Sequence, residues 1–183
     1  MIVRITPFSE PPTLDRTLAD AGLRRFDDTR VMLLPDLDAL DAVSAPAPTL
    51  QAVTAAAYAQ AIGALRGSAL PQRKAHAERL RHASVPYHGF VVQRDGELVA
   101  CGQYVPEGDM VGLYDVFTAP AARGRGLATA LCRALLVRAR GEGARRAYLQ
   151  VEADNPAARA AYHRLGFADA YAYHYRTRDP DAA

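Results

Sequence analysis

The chain has 183 residues, half of them apolar, and a net charge of +2, which fits one domain with a packed core and room for an appendage. Its arginines are dispersed among acids and Lys74 is the only lysine, so no nucleic-acid partner is expected, and no apolar run approaches the roughly 18 residues of a membrane span. Met1 to Pro12 has neither a basic stretch with an apolar core nor a cleavage site, and Cys101 and Cys132 read as buried small hydrophobes, so a protein of the reducing cytoplasm, without metal, is expected.

In chain order, residues 2–37 repeat the pattern of residues 146–181. Val3 and Ile5 alternate like Ala147 and Leu149, Pro12 falls on Pro156, and Gly22 falls on Gly166. Leu14, Leu18, Ala21 and Leu23 fall on Ala158, Tyr162, Leu165 and Phe167, and Thr29 to Leu34 matches Tyr171 to Arg176. Only the proline and the glycine are identical, so the match is one of pattern: two strand–helix–strand units. Residues 38–48, rich in Asp, Ala and Pro, read as a linker. Thr49 is the expected cap of a helix from about Leu50 to Leu65, and a second helix is expected from about Gln72 to His82.

From Pro86 the reading turns to strands. Gly89 to Gln93 and Leu98 to Val105 flank Asp95-Gly96, a hairpin signal, and Glu107-Gly108-Asp109 makes the next turn. Met110 to Thr118 completes a meander. Pro120 stops it, and Gly124 and Gly126 open an amphipathic helix from Leu127 to about Arg138. A strand, a glycine turn and a helix start place several backbone N–H groups at the positive end of a helix dipole, a site suited to phosphate. Arg123 and Arg125 add charge. The stretch lacks the lysine of a P-loop, and Thr129 stands where a dinucleotide fingerprint needs its third glycine. Arg146 to Val151 is a strand, Asn155-Pro156 starts a helix that Leu165-Gly166-Phe167 closes, and Tyr171 to Arg176 is a last strand before the polar tail of 179–183.

Two motifs carry a resemblance. Arg123, Gly126 and Ala128 resemble the acyl-CoA loop of the GCN5-related N-acetyltransferases, Q/R-x-x-G-x-G/A. Asn155, Ala158, Tyr162, Gly166 and Phe167 resemble that family's N-x-x-A-x-x-x-Y-x-x-x-G-F. The likeness covers about Pro86 to Arg176. It implies an α+β fold, a mixed and largely antiparallel sheet flanked by helices, in which two central strands splay to admit acetyl-CoA. It implies that Val116, Phe117 and Thr118 pair with the pantetheine arm. It places the pyrophosphate on the amides of Arg125, Gly126, Leu127, Ala128 and Thr129 beside Arg123 and Gly124, with Asn155 facing the arm. In the same family the first two helices line the acceptor side. Residues 1–37 would then be a truncated, catalytically dead copy in a tandem arrangement ahead of an acetyltransferase domain at 49–178. That half-unit would dock on the main domain or pair with another chain, which makes a homodimer attractive.

The chemistry implied is direct acetyl transfer from a thioester to a primary amine of a small molecule, amino acid or peptide terminus. The amine must be neutral, the oxyanion needs a donor near Phe117, and the departing thiolate gains from a proton. By periodicity alone Tyr162 is a core aromatic sharing a face with Ala158 and Leu165; with the motif it becomes the general acid. Gln150 stands where some family members carry a glutamate base. Asp115 is the best alternative, with Glu152 next, although Asp115 reads equally well as a strand-edge acid or an arginine's partner. His88, His163 and His174 do not fit the role. The rivals are a non-catalytic acyl-CoA-binding module and a nucleotide-binding domain.

Overall fold

The strongest strand signals sit in the middle of the chain, and they build the middle of a sheet. In the computed structural model, which describes residues 1–40 and 47–179, the elements in chain order are β1 (Ile2–Ile5), α1 (Leu14–Asp20), β2 (Arg24–Leu34), β3 (Gln51–Val53), α2 (Ala55–Arg66), α3 (Leu70–Arg81), β4 (His88–Arg94), β5 (Glu97–Glu107), β6 (Met110–Thr118), α4 (Leu127–Gly141), β7 (Arg146–Glu152), α5 (Pro156–Arg164) and β8 (Ala168–Thr177). The eight strands form one sheet in the order β1-β8-β2-β7-β6-β5-β4-β3. Only the β6–β7 pair is parallel; the others are antiparallel.

Alternation along β4 decides which helix covers which face. Phe90 and Val92 point into a core shared with Leu127, Leu131, Leu135 and Leu136 of α4. Val91, between them, points to the opposite face and packs with Tyr58 and Ile62 of α2. Helices therefore lie on both faces, and α4 shares its face with Ala158 and Tyr162 of α5. No described helix is long and apolar enough to cross a membrane.

Residues 2–34 form strand, helix and strand, and their placement follows a register. If Val3 is carried onto Ala147 and Thr29 to Leu34 onto Tyr171 to Arg176, the pairing of β1 with β8 becomes the pairing of β7 with β2. The observed pairs Val3↔Arg176 and Ile5↔His174 become Ala147↔Leu34 and Leu149↔Met32, and both are present. Arg30 pairs with Ala172, its own counterpart, and Phe26↔Tyr175 is matched by Leu33↔Ala168. The two strand–helix–strand units thus face each other across a local two-fold at Arg30 and Ala172, and each sends its last strand into the other.

Two expectations need correction. The helix expected from about Leu50 to Leu65 under a Thr49 cap starts later, at Ala55: Gln51–Val53 extends the sheet edge on β4, and Thr54 is the cap, its Oγ1 accepting from Ala57 N at 3.3 Å. An open edge of β4 lets a short extended segment satisfy its backbone before the alanine-rich helix begins. The linker does not begin at residue 38, because Leu37 and Leu40 are buried and Leu37 exchanges hydrogen bonds with Arg145 O and Arg140 Nη1. Of the assigned linker, residues 41–46 lie outside the described residues, as do residues 180–183 of the tail.

Candidate active site

The parallel pairing of β6 with β7 runs from Met110↔Arg146 to Leu113↔Leu149 and stops. β6 continues to Thr118 while β7 continues to Glu152 against β2 instead. The two strands part, leaving one edge of Val116, Phe117 and Thr118 without a strand partner. A cleft of about 460 Å³ opens there, between that edge, the loop into α4 and the first turns of α5.

The loop is shaped by two glycines, Gly124 at φ +74° and Gly126 at φ +73°, left-handed conformations that glycine adopts without strain. Gly126 is the N-cap of α4, and no side chain caps that end. The first amides of α4 therefore have neither an intrahelical acceptor nor a side-chain one, and they face the cleft. Pro120–Ala122 forms a 3₁₀ turn that carries the chain off the strand. Arg123 is pinned by its Nε–H donating to Thr118 O at 3.1 Å. Among the described residues, Thr118 Oγ1 is buried without a hydrogen-bond partner, and Thr118 lines the cleft.

Across the cleft, Asn155 caps α5 by accepting from Ala158 N at 3.1 Å, and Pro156 occupies the first turn. This geometry aims Ala158, Ala161 and Tyr162 into the cleft. Burial pushes the Tyr162 phenol well above its ordinary range, with Cys132 a lesser cause. It is a neutral O–H donor at ordinary pH. His163, its sequence neighbour, is turned away: its Nδ1 meets Phe167 O at the helix end.

Val116, Phe117, Thr118, Arg123, Gly124, Gly126, Leu127, Ala128, Thr129, Asn155 and Tyr162 all line the one cleft. Arg125, exposed between the two left-handed glycines, is not among the residues lining the cleft. Arg164 lines it in addition, and only its place two residues beyond Tyr162 could have suggested this.

Asp115 stands just outside the cleft, at φ +50° on a β-bulge where Cys101↔Phe117 gives way to Gln103↔Tyr114. Its carboxylate lies 3.2 Å from Arg66 Nη2 and 3.3 Å from His76 Nε2, and it accepts from Gln103 Nε2 at 3.2 Å. The Tyr58 O–H donates to its carbonyl at 3.0 Å. It is thus a partner of an arginine, a histidine and a glutamine at once. The sequence carries no signal for His76, since a lone histidine on a polar helix has no spacing partner. Gln150 accepts from Tyr173 O–H and Glu152 is exposed at the strand end, so neither reaches the cleft wall. Among the described residues no His/Cys/Asp/Glu group is arranged to hold a metal ion.

This arrangement can be set beside known proteins. The chain is similar to the uncharacterized N-acetyltransferase YjgM of Escherichia coli (strain K12), 38% identical over 46% of this chain and 53% of that one, so it spans about half the length of that relative. In fold it resembles the tandem GNAT protein from the clavulanic acid biosynthesis pathway, with a TM-score of 0.71, 20% identity, and coverage of 96% of this chain and 62% of the other. It also resembles AAC(6')-Iy in complex with the bisubstrate analogue CoA-S-monomethyl-acetylneamine, at a TM-score of 0.55, 18% identity, and 68% and 92% coverage. The model of the Acetyltransferase (GNAT) family matches residues 53–167, from the edge strand β3 through the Leu-Gly-Phe exit of α5. Splayed strands, a glycine loop at a helix start and a match over well over half its length place the chain in the GNAT acetyltransferase family.

Proposed function

We propose that this chain takes acetyl-CoA into the cleft between β6 and α5 and transfers the acetyl group to a primary amine by direct attack. The observation that carries the reading is the convergence of three features on one cleft: an unpaired edge at Val116 to Thr118, the uncapped amides after Gly126, and the buried Thr118 hydroxyl with no partner among the described residues. The amides and the α4 dipole suit a diphosphate. The strand edge suits the amides of a pantetheine arm, and the Thr118 hydroxyl can serve the same arm. Acetyl-CoA supplies the activated acyl group; the residues position it and move protons.

Attack of the amine nitrogen on the thioester carbon forms the C–N bond and a tetrahedral oxyanion, whose collapse re-forms the carbonyl and breaks the C–S bond. A backbone N–H near Phe117 steadies the oxyanion. Tyr162 gives its proton to the leaving sulfur. Asp115 orients His76 through Nε2, and the other ring nitrogen can take the proton of the attacking amine. In this reading Asp115 is a positioning residue, held by Arg66 and Gln103. The two free, buried thiols of Cys101 and Cys132 are compatible with a cytoplasmic setting.

The matching registers of the two strand–helix–strand units support reading residues 1–37 as a truncated, degenerate copy of a tandem ancestor whose closing strand stayed exchanged. A second reading, a non-catalytic acyl-CoA-binding module, is favoured by Gln150 in the place of a glutamate base. Acetyl-CoA binding followed by free-thiol release with a panel of amines tests the proposal. Binding without release under every amine supports the second reading instead.

A further inference from the structure

Behind Asp115 lies a separate groove of about 390 Å³ between α2 and α3. Its walls carry Arg66, Arg73, Arg79 and His76, and no carboxylate. Arg73, His76 and Arg79 recur every three residues, so they form one face of α3 turned towards α2. The groove adjoins the acetyl cleft through Arg66, whose guanidinium carbon is 5.6 Å from the ring centroid of Phe117, a cleft residue.

Arg66 and His76 face Asp115, but the charges of Arg73 and Arg79 are not balanced in place. Among the described residues, no carboxylate lies within the 4.0 Å ion-pair distance of Arg73 or Arg79. The one acid of α3, Glu78, is taken by Arg81 and His82 and does not line the groove. Arg73 is moreover built in. Its Nε–H donates to Ser68 O at 2.7 Å, and its stem lies against Gly63, where a Cβ would come within 2.4 Å of Arg73 Cγ. The absence of a side chain at 63 therefore makes the berth for the arginine. At the cleft end, by contrast, Asp115 offers a carboxylate, with Gln103 behind it; Gln103 is 6% exposed and its Oε1 has no protein partner among the described residues.

Resting on the acetyl-transfer reading, we propose that the acceptor is an amine bearing its own anionic group, a carboxylate or a phosphate ester. The anion sits on Arg73 and Arg79, and the amine is directed to Asp115 and His76 beside the thioester. Polyamines and other multiply cationic acceptors meet Arg73 and Arg79, which no carboxylate of the described residues pairs, and are excluded. A guanidinium holds either oxyanion with two parallel N–H donors.

The test compares thiol release with matched amines: glycine and phosphoethanolamine as anionic acceptors, ethanolamine as the neutral one and cadaverine as the cationic one. The expected result is preference for an anionic amine by at least about tenfold in kcat/KM, with glycine against phosphoethanolamine deciding carboxylate or phosphate. Arg73→Ala and Arg79→Ala should each raise KM for that amine about ten- to hundredfold and narrow its advantage over ethanolamine by a similar factor. Gly63→Ala, a change that favours the helix, should displace Arg73 and reproduce the Arg73→Ala result. Equal or better use of cadaverine, or arginine variants with unaltered KM, overturns the inference while acetyl transfer stands. If no amine is turned over, the acetyl-transfer reading fails, and calorimetry decides the groove by itself. Binding of glycine or phosphoethanolamine that is lost in Arg73→Ala supports the anion berth, and no binding by the wild-type chain removes it.

Discussion

Arg66 Nη2 on α2 lies 3.2 Å from Asp115 Oδ1 on β6, and the second oxygen of the same carboxylate is met by Gln103 and His76. One acid therefore ties the helical pair α2–α3 to the strand that borders the cleft. Asp115 also holds a left-handed backbone at φ +50°, which Asn tolerates and Ala does not. Asp115→Asn should lower turnover at least about tenfold with acetyl-CoA affinity nearly intact. Asp115→Ala should add a backbone cost of roughly 1 kcal/mol, so its melting temperature falls about 2–4 °C below that of the Asn variant. Equal melting temperatures would show that the bulge imposes no such demand.

Tyr162→Phe keeps the ring that packs edge-on against Phe167 and removes only the hydroxyl. Thiol release should fall by about 10²-fold or more while acetyl-CoA binding changes little. Burial raises this tyrosine's pKa, so the proton stays on through the ordinary tyrosine range and the acid form is not lost as pH climbs towards 10. A wild-type rate that collapses between about pH 8 and about pH 9.5, with the same limb absent in Tyr162→Phe, would contradict this.

The amide cluster is tested by Gly126→Asp. Aspartate accepts a left-handed φ better than most residues, and nothing lies within 4 Å of a Cβ there, so the fold should survive. The new charge would face the diphosphate, and acetyl-CoA affinity should drop at least about a hundredfold by calorimetry. Thr118→Val, which removes the partnerless hydroxyl, should weaken acetyl-CoA about fivefold without lowering the melting temperature. A loss of stability would mean that the hydroxyl has a structural role instead.

How much of this was legible follows from where each signal is local. The Asp95-Gly96 hairpin, the strand Met110–Thr118, the glycine loop and the Asn155-Pro156 start are written in adjacent residues, and they recur in the structure at those positions. The splay of β6 from β7 was implied only by the family resemblance, because pairing that stops at Leu113 leaves no mark in either strand. His76 was invisible for the same reason: its meaning comes from Asp115, far along the chain. β3 was misread because Gln51-Ala52-Val53 has no strand pattern of its own and takes one from the open edge of β4.

Alkaline stability should be limited by the cysteines. Burial pushes the thiols of Cys101 and Cys132 up from 9.0 to about 12. A raised native pKa means the native state keeps protons that the unfolded chain gives up, so stability is intact below about pH 9 and is lost as pH rises towards 12. Denaturant midpoints from about pH 8 to about pH 11 should fall, and fall less steeply in the Cys101→Ala/Cys132→Ala variant, whatever its starting stability. Parallel slopes would assign the decline elsewhere.

The acid side should report on α1. Asp15 meets Arg176 and, at 2.8 Å, His174, both on β8. The Arg176 hydrogen bond is the first cause that holds its carboxyl down at about 2, from 3.8. This contribution is present above 3.8 and is lost as pH falls through about 2. Asp15→Asn should flatten that part of the acid unfolding curve, modestly, since the side chain is 37% exposed and screened. An unchanged curve would show that the contact contributes nothing to stability.

The exchange of β2 and β8 has a consequence for biosynthesis. β2 leaves the ribosome early, yet both of its neighbours are translated late, β7 after residue 145 and β8 among the last described residues. Until then Val31, Met32 and Leu34, all buried in the finished sheet, lack both strands that flank them. Pairings that span nearly the whole chain are slow to form. β2 therefore stays unpaired until β7 and β8 are made, and that interval is when the segment is most exposed to misassembly.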